Sequence, residues 1–173
     1  MSKVFSHLIS SGSIATIVLI LIALLSFLID ITWFAELAKN NLRLPIDWAT
    51  VEQWQWYLLW GVTTAYVAVG LFGLYFLHRA FRKIGSGELF NLTNSLNIRR
   101  FSILLFVQAA AKPVYYSLAS VLLSHNHSAG EKIFVVSFGS QEITMLALAM
   151  ILWVVSDVLV AGCRLQSENR QFV

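Results

Sequence analysis

The chain has 173 residues, 58% hydrophobic and 12% charged, with a formal net charge of +3. A soluble domain carries about 25% charged residues, so this chain lacks the polar surface to cover itself in water. A single cysteine, Cys163, excludes an intramolecular disulfide framework.

Four apolar runs follow one another: Ile14–Phe34, Trp56–His78, Phe101–Leu123 and Ile143–Gly162. Runs of about 20 residues at about 1.5 Å rise each match a hydrocarbon core about 30 Å thick. The expected architecture is all-α and polytopic. A single membrane domain over 1–173 forms a compact four-transmembrane-helix bundle, with loops too short for a separate soluble domain.

The first run is longer than a signal-peptide core, and Asp30-Ile31-Thr32-Trp33-Phe34 offers no small-x-small cleavage site. It is read as an uncleaved span. The loop after it, Ala35–Gln55, sets Lys39 and Arg43 against Glu36, Asp47 and Glu52. Five of the six tryptophans (Trp33, Trp48, Trp54, Trp56 and Trp60) flank this loop, as interfacial anchors do. In the second span Gly61, Ala65, Ala68, Gly70 and Gly73 provide small residues for close helix contact.

The middle loop, 79–100, is the basic one. Arg79, Arg82, Lys83, Arg99 and Arg100 stand against Glu88. Lys and Arg excess marks the cytoplasmic side, which places this loop, both termini and the tail 163–173 inside. The expected location is the bacterial inner membrane. Five cations beside two spans are accounted for by topology and membrane lipid, so no direct nucleic-acid contact is expected. Gly85-Ser86-Gly87 breaks the helix, and Thr93 or Asn94 is a plausible N-cap for the next. Asn91-Leu-Thr93 matches a glycosylation acceptor but lies on the inner side.

The third span contains the most polar intramembrane patch: Gln108, Lys112, Pro113, Tyr115 and Tyr116. A mid-membrane lysine costs about 2.5–3.5 kcal/mol on insertion scales, so Lys112 needs a partner. Asp157 and Asp30 are the candidates, each about 8 Å from it in depth. Glu142 lies too near the outer surface on a helical count. The third loop has His125-x-His127 with Glu131 beyond, a poor chelate, so no metal is expected. Lys132–Phe138 alternates β-branched and aromatic residues before Gly139, which favours an irregular or extended outer segment over an earlier start to span four. Cys163 is read as a small apolar residue at a helix end.

Two stretches carry a resemblance. Gly87-Glu-Leu-Phe90, Asn94, Leu96 and Arg99-Arg100 enter the third span, and Gly162-Cys-Arg164-Leu165-Gln-Ser-Glu168 ends near Phe172-Val173. The chain resembles the bacterial four-span family called domain of unknown function 2975, although Phe101-Ser102 stand where that family often has glycine. The resemblance implies an integral membrane protein with no established activity, often encoded beside small helix-turn-helix regulators. It therefore implies a regulatory partner rather than catalysis.

Phe90, Asn94, Arg99, Arg100, Leu165, Glu168 and Phe172 make a candidate docking surface, apolar residues rimmed by polar ones. The expectation is a non-enzymatic regulatory or sensor protein with no cofactor. It would hold a cytoplasmic regulator, membrane lipid and a second copy of itself as partners. The alternative is a small-molecule or lipid binder or transporter organised around Lys112.

Overall fold

The computed structural model describes residues 3–85, 91–128 and 130–169. Five helices follow in order: α1 (Lys3–Ile29), α2 (Ile31–Leu42), α3 (Gln53–Gly85), α4 (Leu92–Leu123) and α5 (Ser140–Asn169). A 3-10 turn at Trp48–Thr50 precedes α3. All but α2 are long and apolar enough to cross a membrane. The accessible surface is 10693 Å², whereas a compact soluble chain of this size exposes about 8500 Å². The excess is apolar: Phe72, Ile151, Val154 and Val158 face outward along the long helices.

The long helices stand in a row. Each packs mainly on the next in the series α1, α3, α4, α5. This open array replaces the expected compact bundle. Small residues permit close approach at only part of its length. A Cβ at Gly70 would lie 2.6 Å from Gln108 Oε1, and one at Gly73 would lie 3.4 Å from Phe101, so both glycines seat α4 on α3. Gly61 has no such neighbour.

The first apolar run is two helices. Asp30 adopts extended backbone (φ −137°, ψ 98°) and caps α2. Its carboxylate accepts from Thr32 N at 3.0 Å and from Thr32 Oγ1 at 2.6 Å. Span one therefore ends at Ile29 rather than Phe34. The helix α2 buries Ile31, Phe34, Ala35, Ala38 and Leu42, a stripe of helical period. That stripe meets Trp56, Leu59, Ala119 and Leu123, forming the main apolar core at the tryptophan-rich end. Gln55, fully buried, fastens this end. Its Nε2 donates to the Leu122 carbonyl at 2.6 Å, one of the orphan carbonyls in the last turn of α4.

At the opposite, basic end, Asn91 caps α4 by accepting from Thr93 N at 2.9 Å. The cap is thus two or three residues earlier than Thr93 or Asn94. Ser10 Oγ meets His78 Nδ1 at 2.9 Å, tying α1 to α3.

Between α4 and α5 the chain is extended, as its alternation suggests. Residues 131–139 have neither helix nor strand pairing. Three serines one turn apart on α4 serve its backbone instead. Ile133 N donates to Ser124 Oγ at 3.0 Å and Val135 N to Ser120 Oγ at 3.0 Å. The Ser124 and Ser117 hydroxyls also lie 3.3 Å from the Ile133 and Val135 carbonyls, while each donates over a shorter distance to its own helix, Ser124 to the Ser120 carbonyl at 2.7 Å and Ser117 to the Pro113 carbonyl at 2.9 Å. Side chains alternate accordingly: Phe134, Val136 and Phe138 are exposed, while Ile133 and Val135 pack on the core.

Ser120→Ala strands the Val135 N–H against an apolar wall, a loss of about 1–3 kcal/mol. Thermal unfolding in detergent should show a lower midpoint for Ser120→Ala than for Ser26→Ala, a change on the exposed face of α1; equal midpoints contradict the ladder. The Asp30 carboxyl is held below its usual range by the Thr32 hydroxyl and amide. Its capping contribution is therefore complete above the ordinary carboxylate pKa and disappears as pH falls through the lowered value. Amide protection at Thr32 should fall on that acid limb in the native chain and not in Asp30→Asn.

Candidate functional site

Lys112 lies about eleven residues, or about 16 Å, before the end of α4. It projects toward the first turn of α5. Its ammonium pairs with Glu142 Oε1, lies 3.4 Å from Gln141 Oε1, and sits 5.9 Å from the Tyr116 ring centroid. The Glu142 side chain is 3% exposed and that of Lys112 23%. Glu142 has a second task. Its other oxygen accepts from Gly139 N at 2.6 Å, the return half of a capping box at the start of α5. One carboxylate thus begins a helix and neutralises a lysine.

The partner of Lys112 is therefore Glu142, and neither Asp157 nor Asp30. The physical reason is the extended segment. It covers about 3.3 Å per residue instead of about 1.5 Å. The residues before Glu142 travel back along the last turns of α4 and deliver it to the level of Lys112. Asp30 is occupied with Thr32 at the far end of α1. Asp157 belongs to a second cluster, 3.7 Å from Arg99 and accepting from Trp153 Nε1 at 3.1 Å. Arg99 also lies over the Trp153 ring at 5.4 Å.

The other polar residues of the patch divide between two neighbours. Gln108, one turn before Lys112, presses its carboxamide on Gly70. The Tyr115 hydroxyl meets Thr63 Oγ1 at 3.0 Å, and its ring stacks on Tyr66 at 5.0 Å. The Tyr116 hydroxyl donates to the Asn41 carbonyl at 3.3 Å, beneath α2. Tyr66 was not anticipated, yet its ring stacks on Tyr115 within this patch. Its position opposite Lys112 in the α3–α4 register was the available signal. Chemically the site is a closed acid–base pair. Opening it requires either bare separated charges or transfer of the lysine proton to the carboxylate.

Of the expected docking residues, Arg99, Leu165 and Glu168 come together. With Asp157, Ala161 and Arg164 they line a groove of about 530 Å³ between α4 and α5 at the basic end. Leu165 is 62% exposed. Asn94 is buried and cannot contact a partner directly; Arg100 lies over the Phe76 ring at 5.4 Å. Phe90 and Phe172 lie outside the described residues. His127 Nε2 accepts from Asp47 N at 3.1 Å, and His125 meets Trp54 edge-on, so both histidines brace the tryptophan-rich end. Among the described residues no group of three His, Cys, Asp or Glu has a geometry suited to a metal ion. The Cys163 thiol lies 3.9 Å from Ser95 Oγ.

A scan of protein-family models matches residues 34–172 to the family described as "Protein of unknown function (DUF2975)". The chain belongs to this family. The match covers the extended segment, the Lys112–Glu142 pair and the groove. Searches of curated proteins and of solved structures returned no match. As a DUF2975 member with four candidate spans, the chain is a multi-pass membrane protein.

Removing one partner of the pair leaves a charge in a covered site, whereas removing both leaves none. Lys112→Met and Glu142→Gln should each lower the unfolding midpoint in detergent. The double variant should recover part of the Lys112→Met loss, because it leaves no uncompensated charge while the carboxamide oxygen can still accept from Gly139 N. Strictly additive losses mean that the pair is not coupled.

Proposed function

We propose that this is a non-enzymatic regulatory protein of the bacterial inner membrane that docks a cytoplasmic protein on the groove between α4 and α5. The observation carrying this reading is that groove. It unites Arg99, from the end of the basic loop, with Leu165 and Glu168, from the last turns of α5. The lysine and arginine excess supports a cytoplasmic orientation of this end. Val160, Ala161 and Leu165 give an apolar floor, and Arg99, Asp157, Arg164 and Glu168 give a rim of both signs. An amphipathic helix presenting apolar residues at i, i+3 and i+4 between charges is the partner such a floor accepts.

The sensing element is the other end of the same helix. Glu142 and Leu165 lie about 35 Å apart along α5, a continuous rod. A stimulus that loosens Glu142 from Lys112 shifts the rod and its groove together. A small-molecule binder organised around Lys112 has less support, because the ammonium is already taken by Glu142 and Gln141.

A photo-crosslinking amino acid at position 165, in cells, should capture one cytoplasmic protein identified by mass spectrometry. That protein, purified, should bind the full chain in nanodiscs at least tenfold more weakly after Ala161→Asp. Crosslinks to lipid alone, or equal binding by both forms, sink the docking reading.

A further inference from the structure

At the tryptophan-rich end, remote from the groove, a second pocket has walls suited to a zwitterion. It measures about 390 Å³ and lies between α2, the 3-10 turn and the start of α3. Small-molecule sites occupy about 300–1,000 Å³. Trp48 and Trp56 stack there with centroids 6.1 Å apart and planes 14° from parallel. Lys39 Nζ lies 5.9 Å from the Trp56 centroid and 3.2 Å from Glu36 Oε1.

An i,i+3 surface ion pair alone is worth little and signals nothing. This one differs in what surrounds it. The Lys39 side chain is two-thirds covered, at 34% exposure, and is held against an indole that is itself buried. An ammonium has three N–H donors. One serves Glu36; the others have no protein acceptor among the described residues. The second Glu36 oxygen and the exposed Gln53 carboxamide, both in the pocket wall, are likewise without a partner among the described residues. The pocket thus offers donors for an anion (Lys39, Gln53), and a carboxylate beside aromatic faces for a cation (Glu36, Trp48).

The surroundings add a place for something larger than the two charges. A groove of about 530 Å³ on the other side of Glu36 shares Thr32 and Glu36 with the pocket and continues along Trp33 and Leu37. Trp33 is 71% exposed and Leu37 48%, as expected of a helix whose outer side rests in lipid at the interface.

We propose that this pocket binds a phosphoethanolamine group, its phosphate on Lys39 and Gln53 and its ammonium between Glu36 and Trp48. The group comes either as a lipid headgroup, with the glycerol portion along Trp33, or as the free compound.

The full chain in detergent, offered equimolar phosphatidylethanolamine and phosphatidylglycerol, should retain the ethanolamine lipid in native mass spectrometry, or else bind free O-phosphoethanolamine in calorimetry. Retention of the lipid alone identifies the headgroup as the source, and binding of the free compound identifies a soluble one. Glu36→Gln, at an exposed carboxylate that folding does not need, should weaken either binding at least tenfold, as should Lys39→Gln. Lys132→Gln, on the extended segment, should leave it unchanged. No preference between the two lipids together with no binding of the free compound overturns the assignment. So does unchanged binding by Glu36→Gln and Lys39→Gln.

Discussion

The pairing of Lys112 with Glu142 governs how the last third of the chain is built. A lysine halfway along an apolar helix requires an anion, and the anion here is the third residue of α5. That demand sets where α5 can begin. It starts alongside the middle of α4 rather than at its end, and the length left over is spanned by an extended strip. Non-helical backbone beside apolar helices needs hydrogen-bond partners from protein. Ser124 and Ser120 supply them for the Ile133 and Val135 amides. The charge pair, the capping box and the serine ladder are therefore one arrangement, each part requiring the others.

The same arrangement polarises the molecule. At the tryptophan-rich end α2, the 3-10 turn and the extended strip fold over α3 and α4, and nearly all the buried large apolar side chains collect there. At the basic end the helices run on as separate rods with buried serines and asparagines between them. Among the described residues, neither polar atom of the wholly buried Asn97 carboxamide has a partner and Asn94 Oδ1 lacks one, against Trp60 Nε1 alone at the other end. Unsatisfied buried groups cost free energy that tighter packing elsewhere must offset. The firm end thus carries the zwitterion pocket, and the less satisfied end carries the groove.

Much of this was legible in the residues, and the failures share one cause. The four apolar runs gave the long helices, and the Lys132–Phe138 alternation gave the extended segment. Lys112 was identifiable because charge at mid-span is costly. Its partner was misassigned because depth was counted at a helical rise through residues that are not helical. Asp30 looked like an intramembrane charge, yet Asp30-Ile31-Thr32 already held a capping pattern. Helical period hid it, since α1 and α2 are both apolar and nearly contiguous. The serine ladder had no signature of its own. Each of these serines donates back to its own turn, as serine on a membrane helix ordinarily does, and what is added here is acceptance from the Ile133 and Val135 amides further along the chain. The groove is half legible: Leu165 and Glu168 stand out with Arg99, but Asp157 counts on depth alone as one of two candidate partners of Lys112.

The Lys112–Glu142 pair requires the chain to descend alongside α4 extended and to turn helical only at the depth of Lys112. Nitroxide labels placed singly at residues 132 to 150, in a Cys163→Ala background reconstituted in lipid, report depth from oxygen and nickel-chelate accessibility. Depth should increase by about 3.3 Å per residue with period two up to Gly139. Beyond it the slope should drop to about 1.5 Å with period 3.6. A helical slope and period throughout residues 132–150, or a segment that stays at the surface until Ser140, contradicts that requirement.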